Sequence, residues 1–259
     1  MRYYIIDAFT DQIFKGNPAG VCVLPAWLPD EVMRDIAMEN NLSETAFAVK
    51  EGERYGLRWF TPSAEVDLCG HATLATSFVL FSFYEAGPEP LEFQTRSGIL
   101  KVEKKGDFME MNFPARPPKP TEFNAEMKKA VGSVPVVAAY ENYNLMLELE
   151  SEEDVKTIEP DFAAVKELPY HGLIVTAKGR DSDFVSRFFA PVVGVNEDPV
   201  TGSTHTTLVP FWSERLNKKE LVARQLSKRG GTLYCRNGGD RIFIAGEAAL
   251  YLTGELSLR

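Results

Sequence analysis

The residues best placed to do chemistry in this chain sit in two glycine turns, each ahead of an apolar run. Asp67-Leu68-Cys69-Gly70-His71-Ala72-Thr73 leads into Ser77-Phe78-Val79-Leu80-Phe81. Asp198-Pro199-Val200-Thr201-Gly202-Ser203-Thr204-His205 leads into the run from Val209 to Leu216. A small or turn-prone residue just before a helix leaves backbone N–H groups unpaired, and with the helix dipole these favour an anion. A small carboxylate is the natural ligand for such a turn. Gly70 and Gly202 stand 132 positions apart, about half the chain. The echo predicts two related halves, each presenting one helix N-terminus to a shared cleft.

A single carboxylate, Glu44, falls between Leu42 and the apolar run Ala46-Phe47-Ala48-Val49, where a strand begins. Two readings stay open from the pattern: an exposed edge glutamate, or a partly desolvated carboxyl with its pKa raised for general acid–base work. His71 either packs under its helix start or serves as a hydrogen-bond donor or proton relay. Asp198 either turns the chain ahead of Pro199 or holds His71 or a substrate amine. Ser203 either caps its helix or touches substrate, and one hydroxyl can do both. Ser203 and His205 are two apart and would not face each other on a helix, so no nucleophile–base pair is expected there. His71, His205, Asp198 and Cys69 lack the HxxxH or CxxC spacing of a zinc site, so no metal is expected. His171, in a Tyr-His-Gly turn, reads as surface structure.

Positioning these residues needs a globular frame, and the totals allow one. The chain has 259 residues, 44% hydrophobic and 25% charged, enough for one or two domains with real cores. Its 37 acidic residues against 28 basic give a net charge of −9, which argues against nucleic acid and anionic membrane as partners. Three cysteines cannot all pair within the chain, which fits a reducing cytosol. The N-terminus enters a strand at once and no apolar run approaches a membrane span, so neither signal peptide nor membrane helix is expected and the protein is placed in the cytoplasm. Short strands are predicted at 3–9, 21–24, 54–60, 91–95, 99–103 and 108–113, with 10–20 as a loop and a helix over 29–40. Four prolines within 114–120 mark a domain boundary. Beyond it, helices at 124–131, after Ser151 and at 161–167 alternate with strands at 134–139, 145–149, 172–177 and 183–190. A β-meander over 222–246 follows, and a last strand in 248–258. The expected fold class is α+β, with an N-terminal domain of 1–117, joined by 248–259, and a C-terminal domain of 118–247.

Five blocks together resemble the PhzF phenazine-biosynthesis-like proteins. They are Asp7-Ala8-Phe9-Thr10, Gly16-Asn17-Pro18-Ala19, Ser43-Glu44-Thr45-Ala46-Phe47, Cys69-Gly70-His71-Ala72-Thr73 and Asp198-Pro199-Val200-Thr201-Gly202-Ser203, collinear over nearly the whole chain. The resemblance implies a diaminopimelate-epimerase-like fold, in which two pseudo-symmetric domains each curl a mostly antiparallel, barrel-like sheet around a central helix. It implies an isomerase that works without metal or organic cofactor, in a family where dimers are common. It makes Glu44 the proton carrier, places His71, Asp198 and Ser203 in the same site, and gives Gly70 and Gly202 the substrate carboxylate. Racemases of this fold use two thiols. Cys69 stands where the first would be, but Pro199-Val200-Thr201-Gly202 offers none opposite, so Cys69 is expected to be a small buried residue. The alternatives to an isomerase are a non-catalytic small-metabolite-binding protein and a lyase or hydrolase using the same carboxylate.

Overall fold

The computed structural model describes residues 1–258 except 86 and 88. It separates into two units, Met1–Asn112 with Ile244–Arg259, and Phe113–Phe243.

In the first unit the aromatic and β-branched N-terminal run forms β1 (Arg2–Ala8), with antiparallel partners β2 (Asn17–Leu24) and β17 (Ala248–Glu255). Helix α1 (Asp30–Asn40) carries the chain to β3 (Glu44–Glu51), parallel to β2. β4 (Arg54–Phe60) returns antiparallel to β3 and pairs with the short β5 (Glu65–Val66). Helix α2 (Gly70–Phe83) then leads to β6 (Leu91–Thr95), parallel to β4. β7 (Gly98–Lys105) and β8 (Phe108–Pro114) follow as antiparallel neighbours.

The burial pattern explains the layering. In α2 every residue from Gly70 to Ser77 is buried, as are Val79, Leu80 and Phe81, so no side of its first two turns can face water. The sheet therefore curls round it, and α2 touches β1, β2, β3, β7 and β17. α1 is one-sided by contrast. Its Met33, Ile36 and Ala37 pack with Cys22, Leu24, Phe47, Val49 and Phe60 as an outer layer. Strand periodicity then fixes β3: Phe47 and Val49 face α1, while Ala46 and Ala48 face the other way, towards α2. Glu44 has the phase of the two alanines.

In this unit the start of β2 differs from the sequence reading. Residues 17–20, expected as loop, are the start of β2. Gly16 turns the chain with φ +62°, and β3 begins alongside β2 only at Ala19, so Pro18 removes no bond from that ladder.

The second unit repeats the plan. β9 (Lys119–Thr121) pairs antiparallel with β10 (Val136–Glu141), with α3 (Ala125–Val131) between them. Thus Pro120, expected in a linker, lies in a strand. β11 (Leu145–Leu149) is antiparallel to β10, and α4 (Glu152–Thr157) and α5 (Phe162–Glu167) lead to β12 (Leu173–Lys178), parallel to β11. β13 (Phe184–Phe189) is antiparallel to β12. After a 3-10 turn at Pro191–Val193, α6 (His205–Leu216) leads to β14 (Glu220–Gln225), parallel to β13. β15 (Gly231–Asn237) pairs antiparallel with β14, and β16 (Arg241–Gly246) follows.

The succession antiparallel, parallel, antiparallel, parallel, antiparallel runs through β1-β2-β3-β4-β6-β7 and again through β10 to β15. In each series the second parallel step is made by the buried helix, α2 or α6. That is the duplication read from Gly70 and Gly202. α6 even contains Pro210. The carbonyl its ring leaves without a helical partner, that of Thr206, accepts instead from Arg116 N at 2.9 Å. Among the described residues no helix is long and apolar enough to cross a membrane.

Candidate active site

The first unit gathers Glu44, Gly70 and His71 at the N-terminus of α2. Cys69 is the N-cap, extended at φ −141° and ψ 112°, and the first intrahelical bond runs from Thr73 N to Cys69 O at 3.2 Å. The N–H groups of Gly70, His71 and Ala72 therefore precede the helical ladder, as an anion cradle requires. β3 sends Glu44 to the same place because of its phase. Glu44 Oε2 lies 3.2 Å from His71 Nε2, with the two side chains 18% and 6% exposed.

His71 has a neighbour at each ring nitrogen and a hydrogen bond at one of them. Nδ1 lies 3.4 Å from Cys69 Sγ, opposite the Glu44 side of the ring. Burial pushes the imidazole down to about 3, so it is neutral at physiological pH. A neutral imidazole has one N–H and one lone pair. With the thiol donating to Nδ1, the ring proton sits on Nε2, which faces Glu44 Oε2 at 3.2 Å without the geometry of a hydrogen bond. Glu44, Cys69 and His71 each bring one possible metal ligand within 4.8 Å of the others. A metal takes a single ring lone pair, whereas Sγ and Oε2 approach opposite nitrogens of one ring, which is the layout of a proton relay.

Asp198, Gly202 and Ser203 lie in the second unit, in the turn that precedes α6. Thr201 Oγ1 donates to Asp198 Oδ2, and Asp198 N donates to Phe188 O at 3.0 Å. Gly202 is buried and Ser203 exposed. Ser203 does not cap the helix. Thr204 is the N-cap, and Ser203 O accepts from Thr206 N at 3.2 Å and from Thr206 Oγ1 at 2.7 Å. His205 is fully buried, and its Nδ1–H donates to Thr201 O at 2.9 Å beneath the turn. Burial outweighs that bond and pushes its imidazole down to about 4. His171 is partly buried, stacked on Tyr143 at 4.6 Å between centroids.

Two residues escaped the sequence reading. Gln225, on β14, clamps the Asp198 turn: its Nε2 donates to Asp198 O at 2.7 Å, and its Oε1 accepts from Thr201 N at 2.9 Å. Period-two alternation carried the signal, because Leu221, Ala223 and Gln225 share the buried phase of the strand and one of them is polar. Cys69 was placed correctly as buried, but its approach to His71 was not foreseen. Two helical residues two apart diverge; Cys69, however, is an extended N-cap rather than a helical residue, and its side chain folds back over the first turn.

A repeated α+β unit wound round a buried helix is a fold found in PhzF-family and epimerase structures alike. The fold is shared with a hydroxyproline epimerase from Agrobacterium vitis at TM-score 0.60, 9% identity and coverage of 98% and 91% of the two chains. The chain belongs to the PhzC-PhzF family of phenazine biosynthesis-like proteins, whose model matches residues 6–254. A PhzF-family protein from Enterococcus faecalis of known structure is 51% identical, with TM-score 0.97 and 99% of each chain covered. A Pseudomonas aeruginosa relative described as an uncharacterized isomerase is 52% identical, over 100% of this chain and 99% of its own. The chain is thus an isomerase of the PhzF type.

Proposed function

We propose that this enzyme moves a proton on a small cyclic or amino carboxylate, without a cofactor, with Glu44 as its general acid–base. The observation that carries the reading is the approach of Glu44 to the start of α2, 3.2 Å from a neutral His71. In this mechanism the substrate carboxylate accepts hydrogen bonds from the first-turn N–H groups of α2. The Glu44 carboxylate takes a proton from an adjacent carbon, and the negative charge spreads into the conjugated carboxylate that those donors hold. Glu44 then returns the proton to another carbon on the same face of the substrate, so one acid–base group is enough. His71 Nε2–H keeps the carboxylate aimed and lends the relay a proton path. In the second unit, Asp198, Gly202 and Ser203 are the substrate-binding candidates. Asp198 would meet a substrate amine or hydroxyl, and Gly202 and Ser203 a second polar group. General acid–base catalysis contributes roughly 10² to 10⁴ in rate, so Glu44→Gln should lower turnover by at least about a hundredfold with the fold intact by circular dichroism. Turnover unchanged in that variant would remove Glu44 from the mechanism.

A further inference from the structure

Cys69 has more around it than a buried spacer needs. We propose that Cys69, His71 and Glu44 form a nucleophilic relay, and that Cys69 is a thiol nucleophile toward small electrophilic carboxylates. The parts have the order of an activated nucleophile: thiol, base, and a third group that orients the base. Sγ is 3.4 Å from His71 Nδ1, and His71 Nε2 is 3.2 Å from Glu44 Oε2. Cys69 also sits at the N-cap of a 14-residue helix, where the dipole favours a thiolate. It is in no disulfide, and 7% of its surface remains exposed, which restricts attack to a slim electrophile. The imidazole beside it is neutral, so Nδ1 has a lone pair to accept from the thiol.

The rest of the chain shows why this thiol differs. Cys22 and Cys235 are buried, and burial raises both thiols, Cys22 up to about 12. Neither has a histidine contact among the described residues. The preference for carboxylates rests on the reading of the α2 first turn as an anion cradle; the reactivity of the thiol does not.

The step balances simply. With iodoacetamide, Sγ attacks the methylene carbon, the S–C bond forms as the C–I bond breaks, and iodide leaves with the electron pair. The thiol proton passes to His71 Nδ1, and the charge of the resulting imidazolium is offset by the Glu44 carboxylate 3.2 Å from Nε2.

The test is alkylation of the folded protein near neutral pH, followed by peptide mass spectrometry. Cys69 should be carbamidomethylated at least about a hundredfold faster than Cys22 or Cys235, the scale of one general base. His71→Gln should slow it by a similar factor, and Glu44→Gln by about tenfold. Cys22 and Cys235 report folding in each variant, because their labelling would show that the chain had opened. If Cys69 labels no faster than the other two, or if His71→Gln leaves its rate unchanged in a folded protein, the relay is overturned. Iodoacetate supplies the second arm. A chain of net charge −9 repels it, so faster labelling by iodoacetate than by iodoacetamide supports the cradle. Fast labelling by iodoacetamide with slower labelling by iodoacetate upholds the relay and overturns the carboxylate preference.

Discussion

Acidification should destabilise this protein through two buried imidazoles. His71 and His205 are buried, with folded pKa values of about 3 and about 4, against 6.5 for an exposed histidine. Desolvation is the main cause at both sites, opposed at His205 by the bond to Thr201 O. Each folded value lies below the unfolded one, so the unfolded chain takes up the proton first. Stability is therefore complete above the unfolded value, falls as the pH drops through about 6.5, and stops falling only below the folded values. At about pH 5 each histidine costs about 2 kcal/mol, so the pair removes about 4 kcal/mol relative to about pH 8. Against a typical domain stability of about 5–15 kcal/mol that is a large fraction. Urea unfolding at the two pH values measures it. His71→Gln and His205→Gln should each abolish about half of the pH dependence, whatever they do to stability at pH 8. If the wild type and both variants lose the same stability between the two values, the buried neutral imidazoles do not explain acid sensitivity.

Leu74→Ala, at a fully buried position of α2, should cost about 2–5 kcal/mol in chemical denaturation, as a cavity in the centre of a curled sheet cannot collapse. Gly16→Ala should destabilise by at least about 1 kcal/mol in the same assay, since its φ is +62° and an added Cβ would meet Ala8 O at 2.2 Å. Arg58 ties β4 to β5 and α1 through both Glu65 oxygens, at 2.7 Å each, and Asp30 at 2.8 Å. Arg58→Lys loses the fork and should lower the unfolding midpoint by the equivalent of about 1–2 kcal/mol. Gln225→Met should leave the buried Thr201 N–H without its acceptor at a cost of about 1–3 kcal/mol, measured by thermal unfolding, whereas an exposed neighbour such as Arg224→Met should change little.

What the residues disclosed, and what they withheld, divides along the range of the interactions involved. The two glycine turns and the apolar runs after them told of a repeated half, because a helix apolar on every side has only one place to go. Glu44 was legible as a carboxylate at a strand start, and the family motifs named it. Its approach to His71 was not legible from pattern, since it depends on the phase of β3 against α2, set by Ala46 and Ala48 facing the helix. The start of β2 was hidden by Gly16, Pro18 and Gly20, which read as punctuation while the ladder to β1 runs straight through them. Ser203 looked like a cap, but the N-cap position falls on Thr204, whose hydroxyl donates to Thr201 O instead of capping. Gln225 lies 24 residues from the turn it clamps, and only its buried phase betrayed it.

Hydrogen–deuterium exchange at carbon most directly tests the claim that Glu44 moves a substrate proton. The wild-type protein and Glu44→Gln would be incubated in deuterated water with a panel of small cyclic and amino carboxylic acids, and C–H loss followed by proton NMR. The account predicts exchange into at least one acid with the wild type and none above background with the folded variant. Exchange that proceeds at the same rate in both proteins would contradict it.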